Sequence, residues 1–327
     1  MESKLLSVEN LQTYFYTRSG TVKAVDGVSF SVNSGESLAL AGESGCGKSV
    51  SCLSILRMLP SRGARIVGGK IQFENEDLAS KTESEMRRWR GKKIAMILQD
   101  PLMSLNPVYT IFNQVAESFL LDNKNEKRSL LRQKVIDILK TVNIPLPEER
   151  LNYYPFQFSG GMRQRTTAAI SLARYPRLLI ADEPTTSLDV TIQDQFLRLL
   201  KKLQQDHNMA LILVTHDLGI VAENCDRVAI MYAGKIVESG SVKQVFERPV
   251  HPYTQALMKA LPRMGARTGR LFQIEGEPPN PANLPSGCSF HPRCIQVMDI
   301  CRMQYPPVTF LGPDTYSACW RLEKERV

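Results

Sequence analysis

The clearest chemistry in this chain of 327 residues lies in one run of eight, Gly42-Glu43-Ser44-Gly45-Cys46-Gly47-Lys48-Ser49. It fits the pattern G-x-x-x-x-G-K-[ST]. Glycines at that spacing let successive backbone N–H groups turn inward on an anion, and the helix that starts beyond them adds the positive end of its dipole. In such a loop Lys48 reaches the β- and γ-phosphates of a nucleotide, and the Ser49 hydroxyl is placed on Mg²⁺; alone, the pattern leaves GTPases, kinases, helicases and ABC ATPases open. Val50 follows as the last residue of the nucleotide-binding stretch. The flanks suit the motif: SLALA before it reads as a buried strand, and SVSCLSIL after it as a helix.

A second constellation closes the buried run LLIAD. Asp182 at the strand tip suits Mg²⁺, directly or through water. Glu183 beside it has the chemistry of a general base for an attacking water. Upstream, Phe158-Ser159-Gly160-Gly161-Met162-Arg163-Gln164-Arg165 is a further anion cradle. There a serine hydroxyl and glycine N–H groups open a helix.

This octet resembles the signature of the ABC-type ATPases, usually LSGGQ, with Phe158 in place of Leu and Met162 in place of Gln. Other pieces match that family in order. Gln99, after IAMIL, resembles the Q-loop glutamine that senses Mg²⁺ and the membrane subunits. Ser187-Leu188-Asp189 resembles the D-loop, and His216, after LILVT, the switch histidine. Phe15 in TYFYT resembles the aromatic that stacks on adenine, with Tyr14 and Tyr16 as alternatives. The resemblance implies two ATPase subunits facing head to tail. Each ATP is then held by the P-loop of one and by Ser159, Gly160, Gly161 and Met162 of the other. It also implies catalytic roles for Glu183, His216 and Gln99.

The elements that must position these residues are also readable. Residues 4–45 read as short strands with turns, punctuated by Gly20, Gly27 and Gly35. Residues 48–58 read as a helix, 71–98 as strand, helix (about 82–90) and strand, and 107–174 as mostly helical. RLLIAD and ALILVTHD read as buried strands. Between them Ile192, Phe196, Leu199, Leu200 and Leu203 follow helical spacing. Alternating strands and helices predict an α/β fold with a mainly parallel sheet. The predicted whole is a P-loop NTPase core of the ABC ATPase type, with an N-terminal antiparallel β subdomain and a helical signature subdomain over about 100–174. The nucleotide-binding domain is expected over 1–261 and a small cysteine-bearing domain over 262–327. With 43% hydrophobic residues the chain can build a sizeable core. No apolar run approaches the roughly 18 residues of a spanning helix, and the N-terminus shows no secretory signal. The net charge of +8 is scattered, which reads as a solvated basic surface and predicts no nucleic-acid partner.

LQDPLMSLNPVYT, ADEPTTSLDVTIQ, IMYAGKIVESG and HPYTQAL resemble the ATPase subunits of bacterial dipeptide and oligopeptide importers, including related nickel systems. That likeness covers essentially the whole chain. It implies a peripheral subunit on the cytoplasmic face of the inner membrane. Its partners would be a homologous second ATPase, two membrane permeases and an extracytoplasmic substrate-binding protein. Import of a metal chelate such as nickel, or of another small solute, is the alternative on the same architecture. A soluble, non-transport ABC ATPase is a further alternative; one cassette and no heptad run argue against it.

Cys288, Cys294, Cys301 and Cys319 crowd the tail as C-x5-C-x6-C-x17-C. In a reducing compartment four such thiols suggest ligation rather than disulfides. Four thiolates suit a 4Fe–4S cluster or structural Zn²⁺, with His291 a nearby alternative ligand. The family likeness favours the 4Fe–4S cluster. Loss of one cysteine is expected to disorder the tail from about 285, while the distant P-loop, with its contacts in the larger domain, still binds ATP.

Overall fold

The first strand shows how local backbone chemistry shapes this fold. β1 (Lys4–Thr17) buries Leu6 and Val8, then Leu11 and Thr13, so the inward face changes parity between residues 8 and 11. Asn10 takes a left-handed φ of 49° there, and the pairing with both neighbours shifts register. Gly69 on the adjacent strand has φ 93°, and a Cβ at that position would fall 2.5 Å from the Asn10 carbonyl oxygen. A bulge of this kind bends a strand and re-aims its side chains. The computed structural model describes residues 4–18, 20–100, 104–186, 188–261 and 272–324. Ser187 and the expected domain boundary at 262 lie outside them.

Contacts sort the chain into two units. The first comprises residues 1–33, 37–80 and 213–327, and the second residues 34–36 and 81–212. In the first unit β1 pairs antiparallel with β2 (Gly20–Asn33) and with β4 (Ala64–Phe73), and β4 pairs with β5 (Glu76–Asp77). This is the antiparallel N-terminal sheet expected from the sequence. The strands are longer than the short ones predicted, because the bulge lets one strand run on through a change of face.

β3 (Ser37–Ala41) runs parallel to β9 (Arg227–Tyr232). The neighbouring pairings in this unit are all antiparallel: β9 to β10 (Lys235–Ser241), β10 to β12 (Thr315–Ser317), and β12 to β11 (Thr309–Gly312). The sheet is therefore mixed here rather than mainly parallel. A two-residue turn with positive φ at Ala233 and Gly234 joins β9 to β10, and so short a connection permits only an antiparallel return.

The C-terminal residues do not fold apart. Phe290 is buried in one apolar cluster with Ala39, Ala41, Val228, Ile230 and Tyr253, and Cys288 and Cys294 pack against that cluster. The division at 262 expected from composition thus differs from the division by contacts. A 66-residue tail has little apolar surface of its own to bury, and this one uses the larger core.

The second unit holds β6 (Ile94–Ile97) parallel to β7 (Leu178–Asp182), and the helices Ile111–Leu120, Arg128–Thr141, Gly160–Leu172 and Val190–Asp206. The predicted helix near 82–90 is Glu83–Trp89, closed by a capping box between Thr82 and Glu85. The predicted face of Val190–Asp206 is buried at Phe196, Leu199, Leu200 and Leu203. β8 (Ala210–Thr215) crosses the division between the units.

Candidate functional site

The phosphate loop Gly42–Ser49 leaves β3 and enters the helix Lys48–Ile55, shorter than the 48–58 predicted. Gly42 and Gly47 have φ of 151° and 106°. A Cβ on Gly42 would meet the Met231 carbonyl oxygen at 2.2 Å, and one on Gly47 the Ala24 carbonyl oxygen at 2.3 Å. Both glycines are therefore required by backbone packing. Gly45, with φ 77°, faces open space and is required by conformation alone. Lys48 is buried, and its ammonium donates to the carbonyls of Gly42 at 2.8 Å and Glu43 at 2.9 Å. Cys46 lies 3.7 Å from the same ammonium, and burial pushes its thiol up from the ordinary value. The loop thus presents an ordered turn and a helix start suited to an anion.

Among the three aromatics near the start of the chain, Tyr14 donates a 2.7 Å hydrogen bond to Asp26. Burial, then that carboxylate, push its phenol up to about 12. Phe15 is half-buried, whereas Tyr16 is 50% exposed. His216 follows β8 as an exposed residue of the same unit.

In the second unit Asp182 is buried at the tip of β7. Glu183 takes a left-handed φ of 42°, which turns the chain off the strand end. Its carboxylate accepts from Gln99 Nε2 at 3.1 Å and from Thr186 Oγ1 at 3.1 Å. Two of the residues predicted to act in catalysis are therefore in direct contact.

Ser159 caps the helix Gly160–Leu172 by accepting from the Met162 N–H at 3.3 Å. Phe158 is buried, with the Tyr153 ring edge-on at 6.4 Å, so this variant of the signature fills a core position with its aromatic ring. A Cβ on Gly161 would fall 2.6 Å from Ile192 Cγ2. Asp189 caps the helix that carries Ile192, accepting from the Ile192 N–H at 3.0 Å.

The four tail cysteines line one cavity, together with His251, His291, Phe290, Pro306 and Trp320. All seven cysteines are free thiols. Burial raises the thiols of Cys294 and Cys319, and that of Cys288 to about 11. The Cys288 N–H donates to the Cys301 carbonyl at 2.8 Å, tying two of the four cysteine segments together. Among the described residues, no three His, Cys, Asp or Glu side chains are grouped so as to hold a single metal ion. His291 Nδ1 sits 3.0 Å from the Cys288 carbonyl oxygen.

Several residues here had no assigned part in the sequence reading. In HPYT, the motif singled out without a role, His251 is buried with Nδ1 accepting from the Tyr253 N–H at 3.1 Å. Desolvation lowers its imidazole to about 3. The Tyr253 hydroxyl accepts from the Glu43 N–H at 3.0 Å, so HPYT supports the phosphate loop. Arg293 of the tail binds the Glu43 carboxylate at 2.7 and 3.0 Å. The expectation that the tail stands clear of the phosphate loop is thereby corrected. The neighbour of Cys294 in sequence is bonded to the second residue of that loop.

Comparison with known proteins extends these observations over the whole chain. A family model described as ABC transporter matches residues 25–186, and one described as oligopeptide/dipeptide transporter, C-terminal region, matches 237–301. The dipeptide transport ATP-binding protein DppD of Bacillus subtilis is 48% identical over 97% of this chain and 94% of its own length. A probable peptide ABC transporter ATP-binding protein of Sinorhizobium fredii is 48% identical over 97% and 95%. Among solved structures, cbiO1 of Clostridium perfringens, part of an ABC transporter complex, is 28% identical. It matches with a TM-score of 0.64 over 76% of this chain and 92% of its own. The dimeric ATP-binding cassette MJ0796, at 24% identity and a TM-score of 0.65 over 72% and 98%, shares the fold. With its phosphate loop, its Gln99–Glu183 pair and a likeness that runs almost from end to end, the chain belongs to the ATP-binding subunits of ABC transporters, in the dipeptide and oligopeptide transport family.

Proposed function

We propose that this ABC ATPase drives uptake of dipeptides or oligopeptides through two membrane permeases. It works paired with a homologous ATPase and fed by an extracytoplasmic binding protein. It sits on the cytoplasmic face of the inner membrane, held there by the permeases; among the described residues no helix is long and apolar enough to cross a membrane. One observation carries the substrate class: the likeness to peptide transport subunits continues through residues 237–301, beyond the segment matched by the general ABC model.

In this reading the backbone N–H groups of Glu43 to Val50 and the Lys48 ammonium hold the phosphates. Phe15 receives the adenine, with Tyr14 or Tyr16 as the alternatives. Ser49, Gln99 and Asp182 would hold Mg²⁺, and the ion would supply positive charge against the phosphates. Glu183 takes a proton from water as the water oxygen bonds to the γ-phosphorus. The bond from that phosphorus to the β–γ bridging oxygen breaks, leaving ADP and phosphate. Gln99 orients the Glu183 carboxylate, and His216 acts at the γ-phosphate. Ser159, Gly160, Gly161 and Met162 face the ATP of the second subunit, and Asp189 fixes the helix behind them.

Cys288, Cys294, Cys301 and Cys319 line one cavity as free thiols, and the reading of a thiolate-bound centre among them rests on the family likeness. On that likeness the centre is read as a 4Fe–4S cluster, with Zn²⁺ as the alternative. A centre bound there would link the cysteine-bearing turns of the tail. The test is reconstitution with permeases, second ATPase and binding protein in proteoliposomes. Peptide should stimulate ATP hydrolysis and accumulate inside. Stimulation by a nickel chelate and not by peptide would reassign the substrate.

A further inference from the structure

A carboxylate at the second position of a loop that binds a triphosphate is an electrostatic liability. Glu43 occupies that position, and nothing in the pattern G-x-x-x-x-G-K-[ST] asks for an acid there. Its charge would oppose the incoming phosphates unless a cation neutralises it.

That cation is Arg293, 250 positions later in the chain. Its guanidinium grips Glu43 with two bonds, at 2.7 Å from NH1 and 3.0 Å from NH2. NH1 also donates to the Tyr232 hydroxyl at 3.3 Å, and Nε to the Glu275 carbonyl at 3.1 Å. The Arg293 side chain is 4% exposed and that of Glu43 26%. A paired, bidentate arginine whose three nitrogens all donate is a fixed strut. Glu43 is held at its other groups as well: its N–H by the Tyr253 hydroxyl and its carbonyl by Lys48. Arg293 therefore acts on the residue whose carbonyl helps locate the lysine ammonium.

The position of Arg293 is set by the cysteine turn. His291, Arg293 and Cys294 donate backbone bonds to Cys288, Phe290 and His291 at 2.9, 3.0 and 3.3 Å. Phe290 is buried against Tyr232 and Tyr253, with ring centroids 5.2 and 5.3 Å away. The segment between two of the four cavity-lining cysteines is thus built to aim one arginine.

We propose that Arg293 is a positioning residue for ATP binding. It neutralises Glu43 and fixes the phosphate loop, and so makes nucleotide affinity depend on the C-terminal turn that carries it. The proposal rests on the reading of Gly42–Ser49 as the ATP loop.

The experiment measures ATP affinity of the full-length chain, by equilibrium titration, for wild type, Arg293→Met, Arg293→Lys, Glu43→Gln, the Glu43→Gln/Arg293→Met double variant and Lys48→Ala. Arg293→Met should weaken ATP binding about tenfold, since it leaves a carboxylate uncompensated at the loop. In the assembled transporter the loss should appear in KM, with kcat nearly kept. Arg293→Lys should recover part of the loss, because a point charge remains but the fork is gone. The double variant should bind more tightly than Arg293→Met alone, which a merely structural role for the arginine would not produce. Wild-type affinity in Arg293→Met, or a double variant no better than the single, would overturn the proposal. If Arg293→Met does not fold, Glu43→Gln decides: it leaves the Arg293 cation unpaired beside the phosphates, so stronger salt dependence of ATP binding than in wild type would support the proposal, and equal or weaker salt dependence would overturn it. Undiminished ATP binding by Lys48→Ala would instead sink the reading of the loop.

Discussion

Glu183 accepts a 3.1 Å hydrogen bond from Gln99, a residue 84 positions earlier in the chain. The two meet because β6 and β7 run side by side in parallel, so that Gln99, just past β6, comes level with the tip of β7. A carboxylate held this way is aimed before any water arrives. Glu183→Gln should keep ATP binding and lose about 10²–10⁴-fold in turnover at this site. Gln99→Ala should lose less, since Thr186 still holds the carboxylate. Single-turnover hydrolysis, with the partner ATPase disabled at its own site, checks both. Normal turnover by Glu183→Gln would refute its role as base.

The signature helix offers a test by size. Because a Cβ on Gly161 would fall 2.6 Å from Ile192 Cγ2, Gly161→Ala should destabilise the chain by about 1–3 kcal/mol through overpacking. Ile192→Ala in the same chain should relieve the clash and recover part of the loss. Denaturant midpoints of the two single variants and the double variant would show the coupling. Strict additivity would mean that Gly161 is required for some reason other than Ile192.

The tail makes a prediction opposite in part to the one its sequence suggests. Cys294→Ser should loosen the turn at 288–294, and with it Arg293, so ATP affinity should fall as well as tail order. Protease sensitivity beyond residue 285 and ATP titration on the same sample would test this. Anaerobically purified wild type should carry about four irons and four sulfides per chain. One zinc without sulfide would replace the cluster and keep the site, whereas two disulfides in reduced protein would remove both.

A last prediction concerns acid. Arg174 binds Asp122 through Nε at 2.8 Å and NH2 at 2.6 Å, and Lys92 adds a contact at 3.1 Å. The Arg174 hydrogen bonds above all hold the Asp122 carboxyl down at about 2, against an ordinary 3.8. A depressed carboxylate contributes stability that is present above its unfolded pKa and is lost as pH falls through its folded pKa. Asp122 is 42% exposed, so solvent reduces the contribution to about 1 kcal/mol. Asp122→Asn should cost about that much at pH 7, and its stability should converge with wild type between about pH 4 and pH 2. Parallel curves across that window would show that the pair contributes nothing.

What could be read from the sequence was local in the chain. The phosphate loop, the acids after β7 and the capped signature helix are contiguous runs whose chemistry depends on neighbours a few positions away. The buried face of Val190–Asp206 was legible for the same reason, since helical periodicity is a short-range signal. The Arg293–Glu43 pair spans 250 positions, and no spacing rule connects residues so far apart. SFHPR offered its histidine to inspection, while the arginine beside it looked like one more basic residue in a basic chain. HPYT was noticed without its chemistry, because the Tyr253 hydroxyl acts on a backbone N–H and leaves no mark on side-chain identity at position 43. Composition reports a change of texture near 262, whereas Phe290 shows where the tail's apolar surface is buried.

The short pairing of β10 with β12, through Glu238 with Ser317 and Ser239 with Tyr316, has a practical consequence. A chain cut at 261 would leave that side of β10 as a bare edge, with its N–H and C=O groups open to any passing strand. The same cut would uncover the apolar cluster that Phe290 closes. A fragment designed on the composition boundary should therefore self-associate through that edge, even though every residue of its nucleotide motifs is intact.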